Sequence, residues 1–192
     1  KPGLLNAAQI DSLVEQIHQN SNGQSREATG AAASNLDLYQ VNCTYYNALG
    51  ANDQAYLIAR AVQIFSPGIP QVYYAGLFAA ENDMALLAKT NVGRDINRPY
   101  LDEQAVSESL EKPVVKALIA LIRLRNSLAA LVGEFSVTQQ ENILRLNWQA
   151  DQSAAQLTVD FASLVASVTY SENGIEHHVD ISVDSLAQSV TA

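Results

Sequence analysis

The chain has 192 residues, of which 48% are hydrophobic and 16% are charged, which is enough apolar material for a packed core and too little charge for a disordered chain. The 11 basic and 20 acidic side chains give a net charge of −9, which argues against nucleic acid and an anionic membrane surface as partners, since both need clustered basic residues. No apolar run approaches the ~20 residues that span a bilayer, and a single cysteine, Cys43, favours a reducing, cytoplasmic compartment.

Apolar residues recur with helical spacing in the first two thirds of the chain. The pattern predicts helices over residues 7–19, 54–65 and 114–128, the last opened by Pro113. Residues 20–35 are rich in Gly, Ser, Ala and Asn and predict a long loop. Residues 69–74 are rich in β-formers and predict a short strand, and a looped region is expected from there to about residue 108.

From Gly133 onward the apolar residues alternate, which is typical of β-strands. Asn173-Gly174 lies between the last two predicted strands and indicates a tight hairpin. We therefore expect two domains, residues 1–131 and residues 132–192. The strands are predicted over residues 134–138, 143–149, 155–161, 165–171 and 175–181.

The histidines do not indicate a metal site. His177 and His178 are adjacent in a predicted strand, so their side chains point to opposite faces. We expect both of them, and His18 near a helix end, to be exposed side chains without a ligand role. Cys43 has no evident base partner and is expected to be a plain thiol.

Two polar segments could carry binding. Residues 36–40 (LDLYQ) combine a carboxylate, a phenol and an amide, groups that hydrogen-bond hydroxyls, although polar loop residues are often only solvated. In residues 91–98, Gly93 would let the backbone turn tightly beside Arg94, whose guanidinium offers a rigid fork of donors. A structural salt bridge from Arg94 to an acid is the alternative.

Four motifs carry a resemblance to a known family. Residues 67–74 (PGIPQVYY) resemble the last barrel strand of α-amylase-type glycoside hydrolases. Residues 31–42 (AAASNLDLYQVN), 81–84 (ENDM) and 93–98 (GRDINR) resemble the sucrose phosphorylase branch of that superfamily. The resemblance runs from the start of the chain to about residue 150.

The resemblance implies an α/β plus β fold: the C-terminal part of a (β/α)8 barrel followed by a small antiparallel β domain. It implies a retaining enzyme that converts sucrose and phosphate to glucose 1-phosphate and fructose, without metal or organic cofactor. The catalytic carboxylates of this branch lie on earlier barrel strands, so no catalytic residue is assigned in this chain and an N-terminal barrel portion is expected to be missing. A homodimer of the full-length enzyme stays open.

The binding residues that the resemblance implies lie in two places. Arg94 matches the family's arginine that holds the glucosyl unit. The family's acceptor-site loop presents a carboxylate to fructose and a phenol when phosphate binds. This chain matches that loop at Leu36, Asp37, Leu38, Tyr39 and Gln40. It departs from the family at Pro99, where a histidine is usual, so the rim beside Arg94 is expected to differ.

Two other functions remain open. One is a sister phosphorylase acting on sucrose phosphate, glucosylglycerol or glucosylglycerate. The other is a non-catalytic structural or sugar-binding fragment, since a chain without the catalytic carboxylates could do no more alone.

Overall fold

The computed structural model describes residues 3–30, 35–38 and 40–188. They pack as two compact units, each built from two stretches of chain. The first unit comprises the described parts of residues 1–52 together with residues 73–106, and the second comprises residues 53–72 and the described part of 107–192. These units are groups of residues that pack together, and they do not test the predicted domains. The domain limits 1–131 and 132–192 therefore stay a prediction.

The helical elements dominate the chain as far as residue 132. The α-helices are α1 (Ala7–Asn20), α2 (Gln24–Thr29), α3 (Tyr45–Ala48), α4 (Asp53–Phe65), α5 (Tyr74–Leu77), α6 (Met84–Thr90), α7 (Glu103–Glu111), α8 (Pro113–Ser127) and α9 (Val183–Gln188). Short 3-10 helices cover Asn35–Asp37, Gly93–Asn97 and Ala129–Val132. The three helices predicted from periodicity are confirmed as α1, α4 and α8.

An antiparallel sheet follows, as the alternating pattern predicts. Its strands are β1 (Glu134–Gln140), β2 (Ile143–Ala150), β3 (Ser153–Asp160), β4 (Val165–Glu172) and β5 (Ile175–Asp180). The strands pair in chain order, β1-β2-β3-β4-β5, each antiparallel to the next. Asn173 and Gly174 both have positive φ, 53° and 78°, which is the backbone of the expected two-residue hairpin turn.

The core of the second unit lies between α4, α8 and one face of the sheet. Gln54 near the start of α4 donates hydrogen bonds to the carbonyl oxygens of Leu164 (3.2 Å) and Ile181 (2.9 Å), which fixes the helix to the sheet's loops. The same core buries large apolar side chains of the helices and the sheet, and their burial is the main favourable contribution to the free energy of folding. The fully buried large side chains of this unit include Tyr56, Leu57, Phe65, Val115, Leu118, Leu121, Leu157, Val159 and Ile181.

Three local predictions were wrong. Residues 24–29 form α2 instead of loop, because Ser25 is buried and hydrogen-bonded to His18, a contact that sequence composition does not reveal. Residues 69–73 form no strand, because a parallel strand needs neighbours on the sheet and the described residues supply none. The region expected to be looped up to residue 108 contains α5, α6 and the start of α7.

Within the part of the chain that the structure describes, no helix combines the length and the apolar character that crossing a bilayer requires.

Candidate functional site

Asn42 connects two segments of the first unit. Its Nδ2 donates a 3.1 Å hydrogen bond to the carbonyl oxygen of Ala28, and its backbone N–H donates a 3.1 Å bond to Oγ1 of Thr29. Its Oδ1 accepts a 2.6 Å hydrogen bond from Nε2 of Gln40. Asn42 is only 9% exposed, so it holds Gln40, a predicted binding residue, to the last turn of α2 from a buried position.

Gly93 packs against the same groups. A Cβ on residue 93 would overlap the carbonyl oxygen of Ala28 and would lie 2.7 Å from Nδ2 of Asn42. The chain does turn tightly beside Arg94, in a 3-10 helix, but Gly93 does not have positive φ, so the turn does not need glycine for its backbone conformation. Glycine is required for space, because the turn that carries Arg94 approaches the end of α2 so closely.

Arg94 lies in the 3-10 helix Gly93–Asn97 and is exposed. Among the described residues, its guanidinium forms no ion pair and no hydrogen bond. The salt-bridge alternative therefore has no acid to support it in this part of the chain. The arrangement suits a residue that binds a polar ligand, since its donors point outward from a fixed turn.

The turn that carries Arg94 is held by a small apolar core. Ile96 is fully buried, and its carbonyl oxygen accepts a 2.7 Å hydrogen bond from the backbone N–H of Asp83. The carboxylate of Asp83 caps α6 by accepting a 2.8 Å bond from the N–H of Leu86. The side chains that surround Ile96 are Ala28, Leu87 and Met84.

Asn97, at the end of the same turn, has a side-chain oxygen that is buried and unpaired in the part of the chain that the structure describes. Within the described residues its Oδ1 is the buried side-chain oxygen without a hydrogen-bond partner. Leaving a buried acceptor unpaired costs about 1–3 kcal/mol. An unpaired buried acceptor calls for an explanation, and its place in the turn that carries Arg94 agrees with a turn shaped for binding.

The predicted acceptor loop, residues 36–40, begins in the 3-10 helix Asn35–Asp37. Asn35 anchors this helix to α1 by donating a 3.1 Å hydrogen bond from Nδ2 to Oδ1 of Asp11. Asp37 is exposed and belongs to the 3-10 helix that Asn35 anchors to α1, whereas Gln40 is held by Asn42 at the other end of the loop.

The remaining loop residues differ in exposure. Leu36 is 49% exposed, and Leu38 is half-buried. Tyr39, a predicted binding residue, lies outside the described residues. The structure thus places Gln40 and the Arg94 turn against one buried amide, and it anchors the 3-10 helix that contains Asp37 separately, through the contact of Asn35 with α1.

Asn82 is a structural residue that the sequence reasoning missed, although it belongs to the ENDM motif. Its Oδ1 accepts a 2.7 Å hydrogen bond from the backbone N–H of Thr44, and its own N–H donates a 2.7 Å bond to Oδ1 of Asn47. Its Nδ2 contacts Gln24 Oε1 at 3.0 Å and Cys43 Sγ at 3.6 Å. Burial raises the pKa of the Cys43 thiol, which agrees with the plain thiol expected there.

Pro99 marks the departure from the family pattern, and Tyr74 contacts it. The phenol of Tyr74 donates a 2.8 Å hydrogen bond to the carbonyl oxygen of Pro99, and its ring lies 4.5 Å from that of Tyr73. Burial and the neighbouring Tyr73 raise the pKa of Tyr74 above its ordinary value. The carbonyl of residue 99 thus has a structural use that does not depend on an imidazole.

The prediction that His18 is exposed was wrong, because the side chain is buried. It is 3% exposed, and its Nδ1 lies 2.6 Å from Oγ of the fully buried Ser25. Ser21 completes a polar cluster by donating a 2.8 Å hydrogen bond to the same oxygen. The desolvation of the ring lowers the pKa of His18, and the nearby Arg26 lowers it further.

His177 and His178 are exposed, as predicted. The ring of His177 stacks on Tyr170 at 4.8 Å, and Nε2 of His178 lies 3.1 Å from Oδ1 of Asp180. Across the described residues, no three His, Cys, Asp or Glu side chains are grouped so as to hold a metal ion.

Comparison with known proteins gives relatives that are sucrose phosphorylases and sister phosphorylases. The chain is 58% identical to a sucrose phosphorylase of Agrobacterium vitis over 172 residues, covering 89% of this chain and 35% of the relative. It is 50% identical to a sucrose phosphorylase of Bifidobacterium adolescentis over 187 residues, covering 93% of this chain and 37% of the relative. No family model matches the chain.

A solved structure shares the fold. The crystal structure of sucrose 6F-phosphate phosphorylase from Thermoanaerobacter thermosaccharolyticum superposes with a TM-score of 0.82 at 38% identity, covering 93% of this chain and 36% of that one. The chain therefore spans about a third of the length of these relatives. The predicted resemblance and fold class are confirmed.

Proposed function

Because the chain is a homologue of the C-terminal part of sucrose phosphorylases and related enzymes, we propose that it is the acceptor-side part of a glucosyl-transferring phosphorylase. The complete enzyme converts sucrose and phosphate to glucose 1-phosphate and fructose. The observation that carries the proposal is the shared packing of Gln40 and the Arg94 turn against Asn42, which supports one site built from both predicted segments.

The chemistry requires two carboxylates that this chain does not supply at matched positions. One attacks the anomeric carbon of the glucosyl unit while the other protonates the departing fructosyl oxygen, so the glycosidic bond breaks and a glucosyl-enzyme forms. A phosphate oxygen then attacks the same carbon and gives its proton to the second carboxylate, and the bonding pair returns to the first carboxylate. Both carboxylates lie in the preceding barrel portion, so residues 1–192 alone are inactive.

Arg94 supplies charged donors to hydroxyls of the glucosyl unit. Its exposed guanidinium, without an ion pair among the described residues, supports this role over a structural salt bridge. A guanidinium presents its donors in a rigid plane, so it fixes the orientation of the sugar as well as its position.

The acceptor loop serves the second half of the reaction. Asp37 binds fructose hydroxyls, Tyr39 takes its place when phosphate binds, Gln40 adds an amide, and Leu36 and Leu38 form the wall. A carboxylate repels an incoming phosphate dianion, so a loop that rearranges suits two unlike acceptors better than a fixed one.

The domain proposal follows from the same homology. Residues 1–131 complete the catalytic (β/α)8 barrel, with active-site loops at one end of its strands, and residues 132–192 form the C-terminal β domain. The enzyme needs no metal or organic cofactor, and it works in the cytoplasm, where the free Cys43 stays reduced.

A sister specificity is the second candidate, because the solved homologue is named for sucrose 6F-phosphate. The deciding experiment compares sucrose, sucrose 6-phosphate, glucosylglycerol and glucosylglycerate as glucosyl donors for the complete enzyme with inorganic phosphate. We expect the highest kcat/KM with sucrose, and as much fructose as glucose 1-phosphate and glucose together. A higher kcat/KM with another donor supports the sister function. Absence of glucose 1-phosphate from all four leaves the non-catalytic reading.

A further inference from the structure

We infer that Asn42 is a positioning residue for acceptor binding, which holds the Gln40 end of the acceptor loop in register with the turn that carries Arg94. The inference rests on the proposed function, because that proposal gives Gln40 and Arg94 their roles.

The oxygen and the nitrogen of the Asn42 side-chain amide bind different segments of the chain. Oδ1 accepts the 2.6 Å hydrogen bond from Gln40, and Nδ2 donates to the carbonyl oxygen of Ala28. That oxygen and Nδ2 are also the two groups that leave no room for a Cβ on Gly93. A displacement of Asn42 therefore shifts both the side chain of Gln40 and the backbone of the turn that carries Arg94, because close-packed groups transmit small movements.

One hydrogen bond of the buried Asn42 comes from an exposed side chain, that of Gln40, and this distinguishes Asn42 from Asn47, another buried amide of the same unit. Asn47 is similarly buried, at 8% exposed, but its Oδ1 accepts from Oγ1 of Thr44 at 3.0 Å and from the N–H of Asn82 at 2.7 Å. Those partners belong to the scaffold. Asn47 is therefore a matched control: the same side chain with the same kind of hydrogen bonding, but without a link to Gln40.

The partition of the glucosyl-enzyme isolates the acceptor step. Attack by a phosphate oxygen releases glucose 1-phosphate, whereas attack by water, which gives its proton to the acid/base carboxylate, releases glucose. The ratio of the two products is independent of how much enzyme is folded. A residue that only stabilises the fold lowers both products together and leaves the ratio unchanged.

The experiment measures this ratio in the complete enzyme at fixed phosphate for Asn42→Ala and Asn47→Ala. We expect Asn42→Ala to lower the ratio of glucose 1-phosphate to glucose by about fivefold, the effect of losing one ordinary hydrogen bond to a group that acts in one branch only. Asn47→Ala should lower the melting temperature and leave the ratio at the wild-type value. In Gln40→Ala enzyme, adding Asn42→Ala should change the ratio little further, because Asn42 acts through Gln40.

Two results overturn the inference: an unchanged ratio in Asn42→Ala, or an equal change in Asn47→Ala. A wild-type enzyme that releases no glucose 1-phosphate overturns the proposed function instead, and with it the acceptor role of Asn42. Backbone hydrogen exchange then decides separately whether Asn42 couples the two segments. Asn42→Ala must raise exchange at residues 40–42 and at residues 93–95; a rise at 40–42 alone contradicts the coupling.

Discussion

The indole Nε1 of Trp148 donates a 2.8 Å hydrogen bond to the carbonyl oxygen of Phe65, the last residue of α4. The last carbonyls of a helix have no partner within it, so they depend on such donors. Trp148 is 8% exposed and also lies 4.9 Å, ring to ring, from Phe135. A strand side chain thus completes the end of a helix that precedes it by a long stretch of chain.

Trp148→Phe should destabilise the protein by about 1–3 kcal/mol, because the buried carbonyl of Phe65 loses its donor while most of the ring area is kept. The measurement is the thermal unfolding midpoint, followed by circular dichroism. Tyr170→Phe, which removes a hydroxyl from a half-buried aromatic side chain of β4, is the control and should change the midpoint little. Equal midpoints for the two variants would show that the indole hydrogen bond contributes nothing.

Gly93→Ala should cost about 1–3 kcal/mol of stability, because the new methyl group overlaps the Ala28 carbonyl and displaces either α2 or the turn. In the complete enzyme, activity should fall further than the loss of folded protein explains, since Arg94 moves with the turn. Gly3→Ala is the control, because a Cβ there meets its nearest atom, the Leu5 oxygen, at 3.7 Å. Wild-type activity in Gly93→Ala would contradict the requirement for space.

Arg94→Ala in the complete enzyme should lower transition-state stabilisation by about 2–4 kcal/mol, measured as kcat/KM, because the sugar loses a charged donor that is exposed in this chain and is desolvated only when substrate binds. The melting temperature should stay near that of the wild type, because Arg94 forms no ion pair with the described residues that the substitution could remove. Arg94→Lys should not restore activity, because an ammonium lacks the planar fork.

Arg26→Ala serves as the control for a lost arginine. It removes the exposed 2.6 Å salt bridge between Arg26 and Glu15 and should leave kcat/KM unchanged. Unchanged turnover in Arg94→Ala together with lower stability would support a structural role for Arg94 after all.

Asp37→Asn should weaken the steps that involve fructose more than glucosyl transfer to water, because the amide keeps the shape of the carboxylate and loses its charge. The measurement compares sucrose synthesis from glucose 1-phosphate and fructose with hydrolysis of glucose 1-phosphate. Equal losses in the two assays would show that Asp37 is structural.

Stability should rise with pH through the range below about 6.5, and His18 should account for part of that slope. Burial holds the pKa of His18 below its ordinary value of 6.5, so the unfolded chain binds a proton that the folded chain does not. The stabilising contribution is complete above pH 6.5 and is lost as the pH falls toward the lowered pKa. The measurement is the unfolding midpoint between pH 5 and 8.

His18→Asn should flatten that slope, and His178→Asn, which replaces an exposed ring, should leave it unchanged. An unchanged slope in His18→Asn would show that the buried ring does not control the pH dependence in this range.

Local signals in the sequence were enough for the sheet and the long helices. Asn173-Gly174 encodes its own turn, and Pro113 begins α8 as expected, because these residues restrict the backbone wherever they occur. Residues 69–73 have high β propensity but no strand partner among the described residues, and propensity alone does not form a ladder. Long-range contacts were beyond prediction: His18 and Ser25 stabilise α2 through a tertiary hydrogen bond.

The candidate site divides in the same way. Arg94 and the loop at residues 36–40 could be named from their motifs, because motif residues are adjacent in sequence. The role of Asn42 could not, since its partners at Ala28 and Gly93 are distant along the chain and only packing brings them together. The space requirement at Gly93 could not be predicted for the same reason.

The meander order of the sheet has a consequence for folding kinetics. Each strand pairs with its chain neighbour across a short turn, so little loop-closure entropy opposes sheet formation and these contacts can form early. The bond between Trp148 and Phe65 joins residues 83 positions apart and must close a far longer loop. Since Trp148 is the chain's single tryptophan and its indole contacts the end of α4, its fluorescence reports the docking of α4 onto the sheet.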